Sequence, residues 1–138
     1  MNDTNIIAFL KDKKLGEMLK LSFERMNSAE RSLKARGMRL FYGVPEKKWG
    51  KLSMKITDRL EHIDGTYDLY IIDSRGFDVV ELERLYFDHH SRILLLHEAQ
   101  EEAQSVYEFF ERKVTRLLCL RLPLIEFELE CAAKQMID

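Results

Sequence analysis

Short apolar runs alternate along this chain with longer stretches in which apolar residues recur every three or four positions. A short apolar run is typical of a buried strand, whereas the wider spacing marks one face of a helix. The pattern predicts five strands, at residues 5–10, 37–43, 67–73, 92–97 and 116–123. It also predicts a helix after each strand, with apolar stripes over residues 15–26, 49–63, 79–86, 99–114 and 125–136.

The second helix is predicted from several agreeing signals. Pro45 suits a first helical turn, and Asp64 followed by Gly65 is typical of a helix end. Between these signals the apolar residues keep the helical spacing, at Trp49, Leu52, Ile56, Leu60 and Ile63. The strand before this helix, GMRLFYG, is bracketed by glycines.

The strict alternation of strands and helices predicts the fold class. Strands joined by helices form right-handed crossover units, which build a parallel sheet with helices on both faces. The nearly continuous apolar strands agree, because both faces of such a strand are buried. We therefore predict an α/β fold with a doubly wound, five-stranded parallel sheet, in a single domain over residues 1–138.

Charge and composition narrow the class of partner. The chain has 46% hydrophobic and 33% charged residues, as ordinary globular proteins do. Its formal net charge of -2 argues against a nucleic-acid binder, because neutralising phosphates needs a basic excess. We expect no nucleic-acid partner.

The sequence also indicates where the protein works. No apolar stretch approaches the ~20 residues that span a bilayer, and the start MNDTNIIAFLKDKK is not typical of a secretory leader. Cys119 and Cys131 show no disulfide-framework spacing, which favours reduced thiols. We predict a cytoplasmic protein with no membrane partner.

The carboxyl ends of the strands are the predicted site. Ligands of doubly wound sheets bind beyond those ends. The first strand is followed by FLKDKKLGEM, which has a single glycine, so a phosphate-binding glycine loop is disfavoured. The polar residues at the strand ends are Lys11, Asp12, Asp73, Ser74, Arg75, His97, Glu98 and Arg121.

Two segments and the fivefold alternation resemble the receiver domain of two-component response regulators, over the whole chain. The segments are YDLYIIDSRG, at the third strand, and LCLRLPLIEFELECAAKQMI, at the fifth strand and last helix. The resemblance implies a flavodoxin-like (βα)5 fold with strand order 2-1-3-4-5. It also implies that Asp73 stands at the position that accepts a phosphoryl group from a histidine kinase.

The chain departs from the family at the other site positions. The family's acid pair after the first strand is represented by Asp12 alone, and its Ser or Thr by His97. Its Lys-Pro pair is represented by Arg121-Leu122-Pro123, either with arginine for lysine and one residue inserted or with leucine at the lysine position. Mg²⁺ is held through carboxylates and waters, so Asp12 and Asp73 would bind it weakly. We therefore expect no bound cofactor.

A cation is expected to replace the metal. Lys11 or Arg121 is predicted to pair with Asp73 and to hold the pocket in one state, because opposite charges at strand ends attract each other. The predicted pocket residues around Asp73 are Lys11, Asp12, Ser74, Arg75, His97 and Arg121.

The leading functional hypothesis is an atypical receiver that signals through protein contacts and is not an enzyme. The resemblance implies a contact surface made of the fourth helix, fifth strand and fifth helix, with Tyr107 and Glu111 as candidates. A kinase or an output protein would bind there, and the same surface would serve for a homodimer.

Two alternatives stay open. The first is a functional stand-alone receiver, phosphorylated on Asp73, in which Asp12 and water hold Mg²⁺. The second is a small α/β enzyme or nucleotide-binding protein that uses the same crevice, with Ser74 and with His97 as its base.

Overall fold

The computed structural model describes residues 3–35, 51–59, 67–98 and 100–137 of the 138-residue chain. One parallel sheet has the strand order β2-β1-β3-β4-β5. Its strands are β1 (Thr4–Phe9), β2 (Leu52–Thr57), β3 (Leu69–Asp73), β4 (Arg92–His97) and β5 (Arg116–Arg121). In the described residues the helices are α1 (Lys13–Ala35), α2 (Val79–Leu82), α3 (Gln100–Lys113) and α4 (Glu126–Ile137). The predicted sheet and strand order are confirmed.

The sheet is covered on both faces, as the continuous apolar strands predict. On one face, Ile6 and Ala8 of β1 belong to a buried cluster with Leu19 of α1 and Leu129 of α4. On the other, alternate strand residues such as Phe9 pack in a second cluster with residues of α2 and α3, among them Leu82, Val106 and Phe110. Two apolar cores therefore hold the central strands, and the polar strand ends are left at one edge.

The prediction of a helix over residues 49–63 is wrong for its central part. Residues Leu52–Thr57 form the edge strand β2, which pairs with β1 from Thr4↔Leu52 to Phe9↔Thr57. Leu52 and Ile56 are four residues apart, which fits both a helix face and one face of a strand, because four is a multiple of the two-residue strand period. The predicted strand at 37–43 lies outside the described residues.

The remaining elements agree with the predicted ones except at their ends. Helix α2 is shorter than its predicted stripe, and Asp78 caps its first turn by accepting a hydrogen bond from the Glu81 backbone N–H. Strand β5 ends at Arg121, and a cis peptide bond joins Leu122 to Pro123 just beyond it. In the part of the chain that the structure describes, no helix has the length and apolar character needed to cross a membrane.

Candidate functional site

Asp73 is the last residue of the buried strand β3, and it is 2% exposed. Its carboxylate binds the guanidinium of Arg75 through both oxygens. Arg75 Nε donates to Oδ1 at 3.0 Å and to Oδ2 at 3.1 Å, while Nη2 donates to Oδ2 at 2.7 Å. Such a two-oxygen pair is among the strongest hydrogen-bonded contacts in proteins, because both partners are charged and the planar fork matches the carboxylate.

The turn after β3 brings Arg75 back onto Asp73. The backbone N–H of Arg75 donates to Asp73 Oδ1 at 3.0 Å, and the N–H of Gly76 donates to the Asp73 carbonyl at 3.2 Å. An aspartate that accepts from the backbone two residues later favours a tight turn at that position. The turn formed by DSRG therefore brings the guanidinium to the carboxylate of the same segment.

Arg75 also contacts two other carboxylates. Its Nη2 lies 3.4 Å from Asp12 Oδ2, and its Nη1 lies 3.6 Å from Glu98 Oε1. The side chain of Arg75 is 29% exposed, so these outer contacts are partly screened by water. The hydrogen bonds with Asp73, followed by its charge and then the contact with Asp12, raise the pKa of Arg75 further above its ordinary value. One cation therefore stands among three acids.

Asp12 has a second role at the start of α1. Its Oδ1 accepts hydrogen bonds from the backbone N–H groups of Lys14 at 2.9 Å and Leu15 at 3.3 Å. These bonds satisfy donors that a helix leaves unpaired at its first turn. The hydrogen bond from Leu15, then that from Lys14 and the contact with Arg75, lower the pKa of Asp12 below its usual value. Asp12 is thus anchored to the helix end by one oxygen and faces Arg75 with the other.

The two cations predicted to pair with Asp73 lie elsewhere. Lys11 Nζ is 5.0 Å from the centre of the Phe77 ring, in a cation–π contact. Arg121 is exposed at the end of β5, opposite His97 in the sheet register. Arg75, which was predicted only as a pocket residue, takes the place expected for Lys11 or Arg121. An Asp followed three residues later by Gly, as in DSRG, is the turn signal that could have indicated it.

Ser74 and His97 lie on the ends of neighbouring strands. The backbone N–H of Ser74 donates to the Leu96 carbonyl at 2.9 Å, which extends the β3–β4 ladder and places Ser74 beside His97. The Ser74 Oγ and the His97 Nδ1 are buried and have no hydrogen-bond partner among the described residues. The structure therefore brings together Asp12, Asp73 and Arg75 as one charged group, with Ser74 and His97 as a neighbouring pair on the next strand ends.

The resemblance to receivers implies a Mg²⁺ site at this edge of the sheet. Whether the ion could bind depends on which carboxylate oxygens are available as ligands. Mg²⁺ requires nearly octahedral oxygen ligands at about 2.1 Å. Both oxygens of Asp73 accept hydrogen bonds from Arg75, and one oxygen of Asp12 is bound to the start of α1. In the described part of the chain, no group of three or more His, Cys, Asp or Glu side chains is arranged to hold a metal. In this arrangement, Mg²⁺ could bind Asp73 only if Arg75 moved away from its two oxygens.

A cavity of about 310 Å³ opens beside the charged group. Asp12, Lys14, Arg75 and Glu98 form its polar side, and the apolar side is formed by Leu15, Met18, Leu122, Pro123 and Leu124. These apolar residues belong to the α1 and α4 face of the sheet or to the loop before α4. The cavity therefore has acidic and basic side chains on one side and apolar side chains on the other.

Comparison with solved structures identifies the fold. The chain is similar to a response regulator CheY-like protein from Mesorhizobium loti, known from its crystal structure, with a TM-score of 0.60 and 10% sequence identity. The similarity covers 97% of this chain and 98% of that one. This chain therefore has the flavodoxin-like fold of CheY-like response regulator receivers, as the resemblance implied. A scan of protein-family models finds no match, and neither does a search of curated protein sequences.

Proposed function

We propose that this protein is an atypical receiver domain that acts in cytoplasmic signal transduction through protein contacts, without enzymatic activity of its own. In this proposal Asp73 occupies the phospho-acceptor position, and Arg75 supplies the positive charge that Mg²⁺ would otherwise supply. The observation that carries the proposal is the pairing of Arg75 with both oxygens of a carboxylate that is 2% exposed.

Arginine is suited to this substitution. Its guanidinium stays charged at any physiological pH, and its fixed fork of donors matches a carboxylate. A divalent ion that approached Asp73 would meet this positive charge 2.7 Å from Oδ2, and repulsion between like charges is strong where water is excluded. Binding of Mg²⁺ would therefore require Arg75 to leave both oxygens of Asp73.

The same pairing would impair phosphoryl transfer to Asp73. The attacking carboxylate oxygen must approach phosphorus in line with the leaving group, and metal ions usually neutralise the charge of the transferred group. Both oxygens of Asp73 are engaged by Arg75, and the nearby Glu98 adds negative charge that would repel the phosphoryl donor. We infer that the resting state is held by Arg75 and not by a cycle of phosphorylation.

The signal would then leave through a surface. We propose that a kinase or an output protein binds the face formed by α3, β5 and α4, and that a homodimer would use the same face. Tyr107 and Glu111 are both exposed on α3 and so are accessible to a partner. Exposed aromatic residues are frequent contact points in protein interfaces, which supports Tyr107 as a contact residue.

Phosphorylation in vitro tests the proposal. The protein would be incubated with acetyl phosphate and Mg²⁺, and its intact mass would be measured. We expect no gain for the wild type and a gain of one phosphoryl group for Arg75→Ala, because that variant frees the carboxylate. Arg121→Ala is the matched control, since it removes an exposed arginine at another strand end, and it should behave as the wild type does.

Asp73→Asn in combination with Arg75→Ala identifies the acceptor, because the gain in mass should then disappear. A stoichiometric gain by the wild type that is lost in Asp73→Asn would contradict the proposal. It would favour the alternative of a functional receiver phosphorylated on Asp73, which the position of this residue at the end of β3 also supports.

A further inference from the structure

A second cavity lies on the opposite face of the sheet from the charged group. It has a volume of about 310 Å³ and is lined by Leu95, His97, Ala103, Gln104, Tyr107 and Cys119. These residues come from β4, α3 and β5. Leu95 and Cys119 are register partners on the two strands, so together they form the floor of the cavity, and α3 forms its wall.

The lining favours an uncharged ligand. None of the six side chains is an acid, a lysine or an arginine, in contrast with the cavity beside Arg75. Leu95 is fully buried and Ala103 nearly so. Burial raises the pKa of the Cys119 thiol, which therefore stays uncharged at neutral pH. Desolvating a charge against such a surface would be costly, whereas a neutral molecule would lose little.

One lining residue has a buried polar atom that finds no partner in the described part of the chain. His97 lines the cavity, and its Nδ1 is buried and unpaired among the described residues, as is the Oγ of the neighbouring Ser74. Buried polar atoms are nearly always hydrogen-bonded in folded proteins. The Nδ1 of one lining residue therefore marks a hydrogen bond that the described residues leave unmade beside this cavity.

We propose that this cavity binds a small, uncharged aromatic molecule with one hydrogen-bonding group. The volume is at the lower end of the range of small-molecule sites, which is about 300–1,000 Å³. An aromatic ring fits the lining, because the rings of His97 and Tyr107 offer edge-to-face contacts and the Cys119 sulfur is polarizable. The proposal does not depend on whether Asp73 is phosphorylated, so it stands apart from the proposed function.

Titration with indole, a neutral planar probe with one N–H donor, tests this proposal. The amide resonances of the ¹⁵N-labelled protein would be followed by NMR as indole is added. We expect saturable shifts for His97, Ala103 and Cys119, with a dissociation constant on the order of 1 mM or tighter. Benzoate, which is planar and negatively charged, should give no saturable shift at these residues.

Two cysteine variants form a matched pair for the same titration. Cys119→Phe fills the cavity and should weaken indole binding by about tenfold or more. Cys131→Phe adds the same ring at an exposed position of α4 and should leave binding unchanged. The wild-type titration decides the matter even if Cys119→Phe fails to fold. The proposal is overturned if indole gives no saturable shift, if its shifts lie away from the cavity, or if benzoate binds equally well.

Discussion

At the scale of single residues, the charged group at the sheet edge depends on a local turn and on a helix start. The backbone N–H of Arg75 donates to Asp73, so the turn that ends β3 also delivers the guanidinium to the carboxylate. Asp12 is fixed in the same way by the first N–H groups of α1. The backbone next to each of the two acids thus orients its carboxylate, and Arg75 Nη2 contacts both carboxylates.

The lowered pKa of Asp12 predicts how stability depends on pH. The ordinary pKa is 3.8 and the folded value is lower, so the charged form is favoured by folding. This stabilisation is present above pH 3.8 and is lost as the pH falls through the lower folded pKa. Asp12→Asn keeps a side chain that caps helices but removes the charge, so it isolates this effect.

We expect wild type to be more stable than Asp12→Asn at about pH 6, with a difference that shrinks once the pH falls below about 4. Urea unfolding of both proteins at a series of pH values measures the difference. A difference that grows as the pH falls would mean that the charge of Asp12 does not stabilise the fold.

At the scale of elements, burial decided what could be predicted from the sequence. Strands β1, β3 and β4 are buried on both faces, so each gives a nearly continuous apolar run that is too short for a typical helix. Strand β2 lies at the edge of the sheet, and only Leu52 is fully buried in it. The spacing of its apolar residues fits a helix equally well. Its pairing with β1 joins residues that are distant in sequence, so local spacing does not reveal it.

The position of the candidate site could be predicted from the sequence, but the cation that pairs with Asp73 could not. Parallel strands end at one edge of the sheet, so Asp12, Asp73 and Arg75 could be expected to lie near one another. Which cation reaches Asp73 depends on side-chain direction and on the turn. Lys11 turns to Phe77, whereas Arg75 turns to Asp73, and strand spacing does not distinguish these outcomes.

Helix α4 offers a test of how its buried face holds the fold. Leu129 is fully buried in the cluster between α1, α4 and the sheet, while Phe127, on the same helix, is 73% exposed. Leu129→Ala should lower the free energy of unfolding by about 2–5 kcal/mol, because it leaves a cavity in a packed core. Phe127→Ala should change it by no more than about 0.5 kcal/mol. Comparable losses in the two variants would contradict the packing described for this helix.

At the scale of the whole molecule, the sheet separates two cavities with different linings. The charged group opens toward the α1 and α4 face, and the cavity lined by His97 and Cys119 opens toward α3. His97 lines the cavity beside α3, and the next residue, Glu98, contacts Arg75. His97 and Glu98 are thus neighbours in the chain that face different cavities of the molecule.

Thermal unfolding at increasing Mg²⁺ concentration tests most directly whether Arg75 takes the place of the metal. An ion that binds only the folded state raises the free energy of unfolding of the protein. The rise is about 1.4 kcal/mol when the ion concentration is ten times the dissociation constant. We predict that Mg²⁺ changes the melting temperature of the wild type no more than it changes that of Asp73→Asn. It should raise the melting temperature of Arg75→Ala. A saturable rise in the wild type that Asp73→Asn abolishes would contradict the account.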